Sequence, residues 1–174
     1  MGFCFVNNVA VAAKYALERH GLKRVAIVDV DVHHGNGTED IVLGDERILM
    51  CSFYQHPFYP AWEHASAPNL VNLPVPAHTR GMVVRELVDL AWMPRLEQHR
   101  PEMIFISAGF DAHREDDMGQ MALVEQDFAW ITERTKDVAQ RHAQGRIVSC
   151  LEGGYALGAL ARSVEAHLRV LANV

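Results

Sequence analysis

Two acids and two histidines directly follow an apolar run near residue 30. The stretch 25–37 reads VAIVDVDVHHGNG, and its β-branched residues are typical of a strand buried on both faces of a parallel sheet. Because alternate residues of a strand share a face, Asp29, Asp31 and His33 are expected to project the same way. Carboxylates and an imidazole around one point suit a divalent metal, and zinc is a natural occupant. The alternative, an acidic strand end that caps the next helix, accounts for one Asp but poorly for the whole pattern.

The composition indicates a globular protein and excludes several function classes. The 174 residues are 49% hydrophobic and 22% charged, which fits one domain over residues 1–174. A net charge of −6 gives no sign of a nucleic-acid binder. No apolar run approaches the roughly 18–20 residues that span a membrane, and no secretory signal is evident. Three cysteines without paired spacing favour reduced thiols. We therefore expect a cytoplasmic protein with no direct nucleic-acid or membrane partner.

Alternating periodicities along the chain predict an α/β fold. Apolar runs predict strands at 24–31, 48–53, 69–75, 103–108 and 146–151. Helical spacing predicts helices at 5–20, 38–43, 80–98, 124–142 and 157–172, with Pro94 kinking or ending the third of them. Residues 54–68 are rich in proline and aromatic residues and are expected to form a loop. Strands alternating with helices predict a parallel sheet wrapped by helices.

Polar residues and glycines follow three of the predicted strands. Besides the stretch 29–37, these are Gly109-Phe110-Asp111 and Glu152-Gly153-Gly154-Tyr155. In parallel sheets, ligands bind beyond the carboxyl ends of the strands, at a topological switch point. Packing alone does not readily explain three such ends, so they are expected to form one site.

These motifs are similar to those of a known family. The similar stretches include GFC and NN at residues 2–8, SAGFD at 107–111 and LEGGY at 151–155. In this order they resemble the zinc-dependent histone deacetylase superfamily, most closely its class II and bacterial deacetylase-like amidohydrolase branch. The resemblance covers nearly the whole chain. It implies an arginase/deacetylase-type α/β fold.

The resemblance also implies a role for individual residues. The zinc ligands would be Asp31, His33 and Asp111, so that Asp29 is no longer a ligand. Tyr155 would polarise the substrate carbonyl. Asp29 and Asn36 would orient catalytic histidines, and Phe3 and Tyr59 would line the acyl-lysine tunnel. A potassium ion would be bound by the backbone carbonyls of Asp29, Asp31, His33, Ser52 and Phe53.

The implied reaction is zinc-dependent hydrolysis of an acetylated amine, either acetyl-lysine in a protein or a small molecule such as an acetylpolyamine. The zinc ion would activate water and polarise the acetyl carbonyl. Two alternatives remain open. One is a zinc-binding but catalytically dead module that acts as a scaffold or subunit, and the other is an arginase-like hydrolase with two manganese ions.

The family's proton-transfer residues are a histidine pair that precedes the GFC motif, and this sequence has no counterpart of it. We therefore expect an N-terminally truncated deacetylase domain. His34 is expected to pack on the opposite face of the strand. His113 is the nearest substitute base, although such loop histidines are mostly solvated. The remaining candidates are His56 and His64 at the entrance, Glu152 as a buried structural acid, and Asp116 or Asp117 as loop-ordering acids.

The truncation has a consequence for the sheet. The resemblance implies that five of the family's eight strands are present, in the order 5-4-1-2-3. The strands before Asp31 and Asp111 are then neighbours. The strand at 146–151 becomes an exposed apolar edge, and such edges pair with other chains. This predicts self-association or a complementing chain.

Overall fold

The computed structural model describes residues 3–61, 63 and 65–174, and its centre is a five-stranded parallel sheet. The strands are β1 (Val25–Asp29), β2 (Ile48–Gln55), β3 (Leu70–Val75), β4 (Ile104–Ala108) and β5 (Ile147–Leu151). Their order is β3-β2-β1-β4-β5, with every neighbouring pair parallel. The predicted order 5-4-1-2-3 is the same order read from the other edge and is confirmed.

The helices lie close to their predicted positions. They are α1 (Asn8–His20), α2 (Asn36–Val42), α3 (Gly81–Leu87), α4 (Met93–His99), α5 (Glu125–His142) and α6 (Leu157–Ala172). The predicted start of α1 at residue 5 is wrong, because the side chain of Asn7 accepts the Ala10 N–H at 2.9 Å and caps the helix there. Within the described ranges, no helix is long and apolar enough to cross a bilayer.

The predicted helix at 80–98 continues through Pro94. Between α3 and α4 lies one π-helical turn, Val88–Trp92, and Pro94 occupies the first turn of α4. Proline lacks the N–H that a regular helix interior needs, so a widened turn just before it accommodates the ring.

The sheet is buried between two helical layers. Val25 and Ile27 of β1 pack in the core under α1 and α2, whereas Ala26 and Val28 pack in the core formed with α3 to α6. Because both faces of β1 are covered, its residues are all apolar up to Asp29. This burial explains the continuous apolar run of the sequence.

The two edges of the sheet differ. Edge strand β3 contains Pro74 and is followed by Pro76, and proline protects an edge because it cannot donate a ladder hydrogen bond. Edge strand β5 carries Val148 and Leu151, which are 38% and 61% exposed. The expectation of an exposed apolar edge at 146–151 therefore agrees with the structure.

Candidate metal centre

Three of the predicted site residues meet at the carboxyl end of the sheet. Asp31 and His33 follow β1, and Asp111 follows β4, its neighbour in the sheet. His33 Nδ1 lies 3.0 Å from Asp31 Oδ1 and 3.1 Å from Asp111 Oδ2. Among the described residues, these three form a group whose ligand atoms all lie within 4.8 Å of one another. The parallel pairing of β1 with β4 brings them together.

The chemistry of this group fits a zinc ion. Asp111 is fully buried, and its Oδ1 accepts the Val32 N–H at 2.8 Å. Its Oδ2 is buried and lies 3.1 Å from His33 Nδ1, with no other hydrogen-bonding partner within the described part of the chain. A buried carboxylate oxygen with so few partners is costly unless a positive charge compensates it. Two carboxylates and one imidazole are ligands that zinc accepts.

The pKa shifts within the group also indicate that it favours a bound positive charge. Burial by itself would lower the pKa of His33, but the contacts with Asp111 and Asp31 outweigh it and raise this pKa to about 10. Burial raises the pKa of Asp111 to about 6. A proton on His33 between two acids supplies the charge that a metal ion would otherwise bring.

Two glycines of the strand-end motifs pack against the ligand carboxylates. A Cβ at Gly109 would lie 2.3 Å from Asp31 Oδ2, and a Cβ at Gly153 would lie 2.0 Å from Asp111 Oδ2. The Gly153 N–H also donates to Asp31 Oδ2 at 3.0 Å. These glycines are required by close approach to the ligands, a role that the sequence reading did not identify.

Asp29 lies beside the group but is not part of it. It is buried, and its Oδ1 accepts the Asp31 N–H at 3.1 Å. Burial, and then the charge of Asp31, raises the pKa of Asp29 well above its usual value. Asn36 opens α2, and its backbone N–H donates to the His34 carbonyl at 2.8 Å. The roles of Asp29 and Asn36 in orienting catalytic histidines remain predictions.

Tyr155 follows β5 and keeps its hydroxyl protonated at neutral pH. Burial, together with the negative charges of Asp111 and Asp31, raises its pKa to about 12. The side chain is 43% exposed, and the Phe3 ring meets it edge-on with centroids 6.3 Å apart. A protonated phenol can donate a hydrogen bond to a developing oxyanion.

Asp116 holds the backbone at Tyr155. Its Oδ2 accepts the N–H groups of Tyr155 at 2.6 Å and Ala156 at 2.9 Å, and its Oδ1 accepts the Met118 N–H at 2.9 Å. Asp116 is buried whereas Asp117 is exposed. Of the two acids expected to order this loop, the structure therefore selects Asp116.

Aromatic rings surround His33. The Phe58 ring stacks on the imidazole with centroids 5.5 Å apart, and Tyr59 meets it edge-on at 6.0 Å. Tyr59 was predicted to line the acyl-lysine tunnel, and that role stays a prediction. Phe58 was not predicted, because loop contacts do not follow a sequence period. Trp62 and His64 lie outside the described residues.

The predicted potassium site stays a prediction. The register of β1 and β2 places Ser52 opposite Asp29, and both Ser52 and Phe53 are buried. The Ser52 hydroxyl has no hydrogen bond in the described ranges.

The candidate substitute bases are engaged elsewhere or exposed. Buried His34 contacts Glu39, with Nε2 and Oε2 3.0 Å apart, as a packing role predicts. The expectation of a solvated His113 is wrong: it is 1% exposed, and its Nδ1 accepts the Glu115 N–H at 3.1 Å. His56 is exposed in the loop. Glu152 is half-buried, and burial followed by the charge of Asp31 raises its pKa.

Comparisons with known proteins identify the family. The model of the histone deacetylase domain matches residues 1–171. An uncharacterized Synechocystis protein is 42% identical, and the match covers 98% of this chain and 56% of that protein. The type-2 histone deacetylase 2 of Dictyostelium discoideum is 39% identical over 98% of this chain and 11% of its own length. The histone deacetylase-like amidohydrolase of Pseudomonas aeruginosa is 38% identical over 89% of this chain and 43% of its own.

Solved structures agree with this match. The HD domain of HDA15 superposes with a TM-score of 0.91 at 34% identity, covering 99% of this chain and 51% of that chain. The histone deacetylase Clr3 superposes with a TM-score of 0.88 at 31% identity, covering 97% of this chain and 30% of its own. The chain thus spans about half or less of the length of these relatives. Its fold is the arginase/deacetylase α/β fold, and the chain belongs to the histone deacetylase family.

Proposed function

We propose that this chain carries the metal centre of a zinc-dependent deacetylase, which hydrolyses an acetylated amine to the free amine and acetate. The substrate is acetyl-lysine in a protein or a small acetylated amine. The observation that carries the proposal is the convergence of Asp31, His33 and Asp111 on one point in a chain of this family, with His33 Nδ1 3.0 Å from Asp31 Oδ1 and 3.1 Å from the buried Asp111 Oδ2. These three residues would hold the zinc ion, which when bound supplies Lewis acidity to the carbonyl and to water.

The chain's own residues would position and polarise the amide. Tyr155 would donate its O–H to the oxyanion that forms as water adds to the carbonyl carbon, and such a donor is worth about 3 kcal/mol. Phe58 and Tyr59 would flank the aliphatic part of the substrate next to His33. A catalytic base would take a proton from water and return one to the leaving amine. By resemblance that base is a histidine pair that precedes the GFC motif, and this sequence has no counterpart of it.

A catalytically dead zinc module is the second candidate. It is supported by the burial of His34 against Glu39 and of His113 beside Glu115, since neither histidine belongs to the ligand group found in the described residues. An arginase-like two-metal centre is less well supported, because the ligand group found in the described residues has three members. Two metal ions would need additional bridging and terminal ligands.

Zinc content and turnover separate these candidates. We would measure bound metal, and then hydrolysis of a fluorogenic acetyl-lysine peptide. Turnover would be assayed with and without the part of the Synechocystis relative that lies outside the match. One zinc with turnover in either assay supports the deacetylase, and Asp111→Asn should abolish both metal and turnover. One zinc without turnover in both assays selects the dead module, two metal ions select the arginase-like centre, and no bound metal overturns the proposal.

We also propose that a further strand of a deacetylase domain, in the same polypeptide or another, covers β5. The supporting observations are the exposed Val148 and Leu151 and the relatives' additional length. The 174-residue chain alone should then associate as its concentration rises, and Leu151→Lys should reduce association. Met82→Lys, at a residue 76% exposed on α3, is the matched control. A wild-type monomer by light scattering at all concentrations would contradict the proposal.

A further inference from the structure

A buried carboxylate on α2 connects His34, next to the proposed ligand His33, with the segment between β2 and β3. Glu39 is 2% exposed, although it lies in the first turn of a short helix. Both of its carboxylate oxygens are hydrogen-bonded, and the partners come from three separate segments of the chain. A buried acid is costly unless its hydrogen bonds compensate for the lost hydration.

The contacts of Glu39 define what it holds together. Its Oε1 accepts the backbone N–H of Ala65 at 2.8 Å, in the loop between β2 and β3. Its Oε2 accepts from the Asn72 amide on β3 at 2.6 Å. The same oxygen lies 3.0 Å from Nε2 of His34, which directly follows the ligand His33. Because an ionised carboxylate only accepts, His34 must donate from Nε2.

The partners of Glu39 are themselves fixed. The His34 ring packs on Tyr54 with centroids 4.5 Å apart, so the imidazole cannot easily swing away. The Asn72 amide also contacts the Ala65 carbonyl at 3.4 Å, which ties both sides of the Ala65 backbone to this cluster. The segment that begins at Ala65 is therefore anchored to this cluster, a few residues in sequence after the rings that flank His33.

From this arrangement we infer that Glu39 is a positioning residue that sets the shape of the substrate passage, the space next to His33 that Phe58 and Tyr59 flank. By holding Ala65, it keeps Phe58 and Tyr59 against His33 at the observed separations of 5.5 and 6.0 Å. It does not touch the ligand group, and it acts on the acyl-binding walls through the loop. This inference rests on the proposed function, because the passage matters only if the metal centre takes an acylated substrate.

The test compares two chelating probes on the zinc-loaded chain. Acetohydroxamate reports on the metal alone. A hydroxamate with an aromatic group at the end of a six-carbon chain also reports on the aromatic walls. Glu39→Gln places an amide N–H against donors, so it should weaken binding of the long probe by about tenfold. Binding of acetohydroxamate and of zinc should stay within about twofold of wild type. A residue that only stabilised the fold would leave the ratio of the affinities for the long probe and for acetohydroxamate at its wild-type value.

Two further variants keep the test decisive if Glu39→Gln folds poorly. Asn72→Ala removes one donor and leaves the acid in place, and it should produce a smaller shift in the same direction. Asp40→Asn removes a charge from an exposed neighbour on α2 and should have no effect. Faster hydrogen exchange in a peptide covering Ala65, measured by mass spectrometry in Glu39→Gln but not in Asp40→Asn, reads the contact directly.

The outcomes separate this inference from the proposed function. If the wild type binds zinc and both probes, but Glu39→Gln and Asn72→Ala keep the wild-type ratio of affinities, the inference is wrong and the proposed function stands. If the wild type binds no zinc or neither probe, the proposed function fails and the inference fails with it.

Discussion

At the residue scale, the chemistry of the site depends on a few close approaches to two carboxylates. Asp111 is buried with its Oδ2 3.1 Å from His33 Nδ1, and Asp31 accepts hydrogen bonds from the His33 and Gly153 backbones. These contacts leave the carboxylates pre-oriented toward His33. Rigid support of this kind determines metal affinity as much as the identity of the ligands does.

Gly153→Ala should therefore disrupt the metal centre without removing a ligand. The added Cβ would lie 2.0 Å from Asp111 Oδ2, so the carboxylate or the backbone must move. We expect zinc affinity to fall by about 10–100-fold, the range typical of changes to the groups that orient metal ligands. Competition with a chromogenic chelator measures this. Gly158→Ala on α6 is the control, since its Cβ would meet only Arg162 Nη1 at 3.5 Å. Equal zinc affinity in the two variants would contradict the argument.

At the element scale, the loop after Asp111 and the start of α6 are joined by one acid. Asp116 accepts three backbone N–H groups, two of them at Tyr155 and Ala156 just before α6. Unsatisfied N–H groups at a helix start are costly, and a nearby carboxylate also complements the helix dipole. The backbone position of Tyr155 is thus set by a loop acid and not by β5 alone.

Asp116→Ala should lower the free energy of unfolding by about 1–3 kcal/mol, because three N–H groups lose their acceptor. Urea denaturation of the variant measures this loss. Asp117→Ala removes a neighbouring exposed acid and should change stability by less than about 0.5 kcal/mol. Comparable losses in both variants would show that Asp116 contributes only its charge.

At the scale of the whole molecule, a buried histidine links α5, α6 and β5. His167 Nδ1 lies 2.7 Å from Thr132 Oγ1, and Nε2 lies 2.9 Å from Ser149 Oγ. Thr132 donates its hydroxyl proton to the Phe128 carbonyl at 2.7 Å, so it accepts from Nδ1 and leaves Nε2 to accept from Ser149. Burial lowers the pKa of His167 to about 4.

This histidine predicts a loss of stability in mild acid. Its pKa in the folded state is below its ordinary value of 6.5, so the unfolded chain binds a proton first as the pH falls. The contribution of His167 to the free energy of unfolding is complete above pH 6.5. It declines as the pH falls toward 4, by at most about 3 kcal/mol. Urea titrations at several pH values should show this slope. His167→Gln should flatten the slope relative to wild type, and His20→Gln at an exposed site should leave it unchanged.

The sequence alone determined most of the secondary structure and the identity of the candidate metal ligands. Local hydrophobic patterns carried this information. The apolar run before Asp29 predicts a strand buried on both faces, and the amphipathic pattern of residues 157–172 matches α6 at both ends. The family motifs identified Asp31, His33 and Asp111, and the structure brings all three together. The strand order also came from the family resemblance, since the spacing of strands does not encode it.

Only the tertiary structure decided which contacts form between the loops and the elements around the site. Phe58 on His33, Asp116 on the Tyr155 backbone and Glu39 on Ala65 are contacts between segments far apart in the sequence or without any period. His113 is buried because its loop pairs with the segment at Leu123, although local composition predicted a solvated ring. Periodicity describes which face of an element is buried. The positions of loops depend on long-range packing, which has no local signature in the chain.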